Sequence, residues 1–163
     1  MKVKSIFILT LLICFSSIAS AAIYPQNLFD NSSYQLIHAR QDKALYMDTS
    51  SIVVKTNTKE TLLLAVNEVS ASFDYDRLTD IESFKAIDQV RTVWYYKPLD
   101  ENKTYMTGAV IGGNDILLPP YIGWKYVYYS TDNGHSWMPF DTTINSGPTR
   151  IRARAFKLVM QNI

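Results

Sequence analysis

The chain has 163 residues, with 16 Lys and Arg against 15 Asp and Glu and a formal net charge of +1. So even a balance sets aside a dedicated nucleic-acid binder, which carries a clear basic excess, and the length suits one domain. A single cysteine excludes an internal disulfide, so stability must come from the core.

The first residues read as a secretory leader. Lys2 and Lys4 form a basic start, residues 6–18 are apolar and uncharged, and Ala19-Ser20-Ala21 presents small residues for cleavage after Ala21. The apolar run is shorter than the roughly 20 residues that cross a bilayer, so no integral membrane segment is expected after cleavage. Ile13 before Cys14 is bulky and β-branched, which argues against a lipid-modified cysteine. Loss of Lys2 and Lys4 leaves 14 basic against 15 acidic residues, near neutrality. The expected domains are a signal peptide at 1–21, a flexible lead-in at 22–33 and one β-rich domain at 34–163.

Beyond the lead-in the apolar period is mostly two, the mark of strands. Residues 34–39 and 44–47 flank a polar turn and predict a hairpin. Asp48-Thr49-Ser50-Ser51 predicts a corner into a third strand at 52–55. The longest strand, 60–73, changes phase: Leu62, Leu64 and Val66 share one face, and Val69, Ala71 and Phe73 the other. A strand keeping one core side would need a bulge near Asn67-Glu68. The acidic stretch 74–88 predicts a short helix at 81–87. Strands follow at 89–97, which Pro98 stops, and at 103–110. A Gly- and Pro-rich loop spans 111–123, and a hairpin pairs 124–130 with 137–140.

The last segment, 149–162, has two readings. As a strand, Arg150, Arg152 and Arg154 alternate with Ile151, Ala153 and Ala155. As a helix, Ile151, Ala155, Leu158 and Val159 share one side and Arg150, Arg154 and Lys157 another. The helix uses more residues, and Ser146 and Pro148 supply its start signal.

Ser130-Thr131-Asp132-Asn133-Gly134-His135-Ser136-Trp137 resembles the Asp-box pattern S-x-D-x-G-x-[ST]-W of sialidases. The resemblance implies a self-bonded hairpin rather than a catalytic element, and the arginine cluster of those enzymes has no counterpart here. Asp74, Asp76, Asp80 and Glu82 fail as a calcium loop, because Leu78 and Thr79 stand where a ligand and a glycine are needed. His38 and His135 have no metal-ligand spacing, and His38 reads as a structural strand residue on the face of Leu36. No nucleophile motif, phosphate loop or dinucleotide fingerprint is present. No catalytic, cofactor-binding or metal residues are therefore assigned.

Ala44-Leu45-Tyr46-Met47-Asp48-Thr49-Ser50-Ser51-Ile52-Val53-Val54, followed by the long apolar strand, resembles the surface-adhesin protein E-like family. The likeness extends loosely over 34–163. It implies an antiparallel sheet packed on a C-terminal helix, a place at the bacterial surface, and adhesion to host matrix proteins.

Together these readings predict an α+β fold with an antiparallel sheet of about six strands packed against a C-terminal α-helix. The expected role is a non-enzymatic binding protein, adhesin-like, exported to the periplasm, the cell surface or beyond. Its partner would be a protein or glycan, and a homo-oligomer is compatible with the sequence. Candidate ligand contacts are the aromatic residues Trp124, Tyr126 and Tyr128 and the basic stripe Arg150, Arg154 and Lys157. An envelope assembly factor acting by strand-edge pairing is the alternative, and a small hydrolase ranks last.

Overall fold

Six strands hydrogen-bond in chain order: β1 (Tyr34–Arg40), β2 (Lys43–Asn57), β3 (Thr61–Asp76), β4 (Ile81–Pro98), β5 (Tyr126–Ser130) and β6 (Met138–Asp141). Every neighbouring pair is antiparallel. The sheet curls into a half-barrel, and helix α1 (Gly147–Met160) packs against β1, β2 and β6. The α+β architecture is the one expected, and the helical reading of the last segment holds. The computed structural model describes residues 24–76, 81–99, 126–143 and 147–163. The leader expected at 1–21, the strand expected at 103–110, the loop expected at 111–123 and the expected Ser146 cap lie outside the described residues.

β3 explains its own phase change. Leu62, Leu64 and Val66 face α1, in a core with Met47, Val93, Tyr95, Val127, Phe140, Ala155, Phe156 and Val159. Val69, Ala71 and Phe73 face the other way, against Tyr24, Leu28, Ala44 and Tyr46. Leu63 packs on that second face too, with Tyr96 and Tyr128. No bulge interrupts β3 at Asn67-Glu68, because Thr61 through Ser70 pair residue for residue with Pro98 through Gln89 of β4. The strand alternates strictly and both of its faces are covered, so the expected bulge is replaced by two cores.

The extra residues sit on the flanking strands instead. Phe73, Ala71 and Val69 of β3 stand opposite Phe84, Ile87 and Val90 of β4, so a spacing of two meets a spacing of three. Each step on β4 contains a bulge, which keeps Phe84, Ile87 and Val90 on one face. A strand bulged twice mimics helical periodicity. For this reason the short helix expected at 81–87 is in fact the first half of a strand.

β2 carries a larger excursion where a separate corner and third strand were expected. It is one strand, but residues 49–52 stand opposite Val66 alone. Polar side chains replace the missing ladder bonds. The Asn67 N–H donates to Ser51 Oγ at 2.8 Å, Ser51 Oγ donates to the Asp48 carbonyl at 2.6 Å, and Ser50 N–H donates to Asp48 Oδ1 at 3.1 Å. The lead-in expected to be loose is packed from Tyr24 onward. Leu28, in a single 3-10 turn (Leu28–Asp30), is buried, and Tyr46 Oη donates to the Pro25 carbonyl at 3.1 Å. The Tyr24 hydroxyl donates to the carbonyl of Gln41, which sits in the β1–β2 turn at φ 59°.

Among the described residues one charged side chain is fully buried. Glu68 continues the α1-facing row of β3 and has 0% of its surface exposed. Its carboxylate accepts from Arg91 Nε at 3.2 Å and Nη2 at 3.0 Å, across the β3–β4 ladder. Arg152 of α1 donates to the other oxygen, and its guanidinium lies 4.7 Å from the Tyr129 ring centre. Burial and then the Glu68 charge push the neighbouring Tyr95 hydroxyl well above the usual tyrosine range.

Two stability changes follow. Leu28→Ala should cost about 2–5 kcal/mol in urea unfolding, the range for emptying a buried leucine site, if the lead-in is part of the core. Glu68→Ala should cost about 3–5 kcal/mol, because Arg152 and Arg91 are left facing a buried gap. Adding Arg152→Met to that variant should return part of the loss.

Candidate functional site: a basic groove beside the helix

α1 is amphipathic in a way that sorts its basic residues. Ala155, Phe156 and Val159 are buried in the core, and Arg152 turns inward to Glu68. Arg150, Arg154 and Lys157 are exposed on another side of the helix. Their spacing of four and then three residues stacks them along about 10 Å of axis.

Beside this stripe lies a groove of about 780 Å³, lined by apolar Ile37, Ile151, Phe156 and Met160 and by His38, Lys97, Thr142, Thr143, Arg150, Arg154 and Lys157. Thus β1, β4, the residues after β6 and α1 all contribute. A second hollow of about 400 Å³ shares Arg154 and Lys157 and adds Gln26, Asn27 and Gln35. None of these described lining residues is acidic, and among the described residues Lys97, Arg150, Arg154 and Lys157 pair with no carboxylate. In a concave, half-apolar wall, such unpaired cations attract anions more strongly than on open surface.

His38 reaches this groove through a bulge. Leu36 pairs with Tyr46 and His38 with Leu45, which leaves Ile37 without a partner on β2. Leu36 and Tyr46 belong to the core away from α1, whereas Leu45 and Ile37 belong to the core beneath it. The extra residue therefore swings His38 to the helix side, opposite to the face that simple alternation with Leu36 assigned. Burial, then the charges of Arg150, Arg154 and Arg40, hold its pKa below the ordinary 6.5.

The aromatic candidates part company. Tyr128 is buried with Leu63 and Tyr96, with Trp137 packed on the same cluster, so its side chain belongs to the core. Tyr126 shares its face by alternation and is exposed, but it does not line the groove. Trp124 lies outside the described residues. Among the described candidates, Arg150, Arg154 and Lys157 come together on the groove. His38, Lys97, Thr142 and Thr143 join them unforeseen.

The Ser130–Trp137 motif folds as a self-bonded turn. Ser130 Oγ donates to Asp132 Oδ1 at 2.6 Å and accepts from the Gly134 N–H at 2.8 Å, while the Ser136 N–H donates to Asp132 Oδ1 at 2.9 Å. Asn133 and Gly134 take φ of 57° and 86°, in the left-handed region where glycine is favoured. The bonds from Ser130 and then Ser136 hold the Asp132 carboxyl well below the usual carboxylate range. Asp74, of the acidic stretch, pairs with Lys85 at 3.1 Å.

Comparison with protein-family models, with curated proteins and with solved structures finds no match to this chain. No helix among the described residues is long and apolar enough to cross a membrane.

Because the folded-state pKa of Asp132 is depressed, its contribution is complete above the ordinary value of 3.8 and fades as pH falls below it. Asp132→Ala should accordingly melt at a lower temperature than the wild type at neutral pH. Paired thermal melts should show that gap closing towards pH ~2.

Proposed function

We propose that this protein is an exported, adhesin-like binding module that contacts an anionic glycan outside the cytoplasm through the basic groove beside α1. The observation that carries this reading is the convergence of His38, Lys97, Arg150, Arg154 and Lys157 on one groove whose described lining holds no carboxylate. The cations meet acidic groups, and Ile151 and Met160 offer apolar surface to the faces of sugar rings. The role is binding rather than catalysis. The described lining of the groove offers His38 no carboxylate to orient it as a base, which favours binding over catalysis. The adhesin-like part of the reading comes from the resemblance of residues 44–54, not from the groove.

The test is titration of the purified protein with a sulfated oligosaccharide over a range of salt. Affinity should fall linearly on a log–log plot as counterions are released. Each of Arg150→Ala and Arg154→Ala should weaken binding by roughly tenfold, about 1.5 kcal/mol for a lost charge-assisted contact. Saturable binding that ignores both substitutions would remove the groove from the function. Preference for an acidic protein over every glycan tried would replace the glycan as partner.

A further inference from the structure

Only two histidines occur in the chain, and one of them is in the groove. His38 borders the groove beside Arg150 and Arg154 of α1, with Lys157 from the same helix and Lys97 from β4 on the same lining. Arg40 acts on it from its own strand. On its other side, a hollow of about 350 Å³ adds Asp42 and Lys43 from the β1–β2 turn and the start of β2. The imidazole therefore sits where a ligand's acidic group would also have to sit, among cations from three elements.

We propose that the groove takes up the anionic group of its ligand together with one proton, which binds to His38. This deepens the reading of the groove as an anion site and rests on it. The proton comes from solvent onto a ring nitrogen, and no other bond is made or broken. An anion seated between Arg150 and Arg154 offsets the field that keeps that proton off. It also gives the imidazolium an acceptor for a charge-assisted hydrogen bond. Linkage then fixes the sign. Whatever binds more tightly to the protonated form raises the histidine's pKa, so affinity climbs as pH falls through the histidine range and levels off below it. Sulfate and carboxylate groups satisfy this equally. A phosphate monoester would blur it, since it takes up a proton in the same range.

The experiment uses a sulfated oligosaccharide, whose own charge is constant across the range. Calorimetric titration of the purified protein at about pH 8 and about pH 5.5, in two buffers of different ionisation heat, counts protons taken up on binding. The expected result is uptake near neutral pH and affinity rising by up to about tenfold towards the acid end, the gain for one unit of pKa change. His38→Gln should flatten that slope, and His135→Gln should preserve it. Independently of any variant, the His38 ring signals in the wild type should titrate at higher pH once the oligosaccharide is added, while those of His135 stay put. Binding with a flat pH profile, or a slope that survives in His38→Gln, overturns the proton coupling and leaves the anion site standing. Absence of binding at both pH values overturns both.

Discussion

A carboxylate sealed from water has to be met by cations, and Glu68 is met by two that come from different parts of the fold. Arg91 reaches it across one ladder of the sheet, and Arg152 reaches it from the helix. Taken in isolation such a cluster contributes little net stability, because desolvating the ions offsets most of their attraction. Its larger effect is geometric. The residue that anchors α1 to β3 fixes how far the helix is rotated about its axis. With Arg152 turned inward, Arg150 and Arg154 are turned away from it, towards the groove. Three arginines that alternate in the sequence are thereby divided into one that holds the fold and two that face solvent.

The hairpins, the C-terminal helix and the six-stranded sheet were legible in the sequence, because each is announced by local periodicity and turn chemistry. What the sequence concealed is a set of bulges. Phe84, Ile87 and Val90 are spaced as on a helix, and only the bulged register with Phe73, Ala71 and Val69 reveals a strand. The Asp48 to Ser51 run looked like the end of one strand and the start of another. Its side chains instead close the backbone bonds of a single strand that detours. The phase change of β3 was visible but was assigned to a bulge, since a strand buried on alternate faces by two different layers leaves the same pattern.

The candidate site was half legible for the same reasons. Arg150, Arg154 and Lys157 follow from helical spacing alone. His38 and Lys97 are far from them in sequence, and a bulge at Ile37 reverses the face on which His38 lies. Tyr128 shows a different limit of the pattern. Alternation gave its face correctly, relative to Tyr129, but a face says nothing about what covers it. Leu63, Tyr96 and Trp137 cover it.

β3 belongs to both hydrophobic layers at once, with Leu64 and Val66 in one and Val69 and Phe73 in the other. Neither layer can come apart while that strand stays in place, and neither can keep it in place alone. The lead-in, the sheet and the helix are therefore tied into a single cooperative unit, although they build their contacts on opposite sides. Local opening is left to the margins, the far ends of β3 and β4. The backbone amides at the middle of β3 should therefore exchange with solvent only when the whole molecule unfolds.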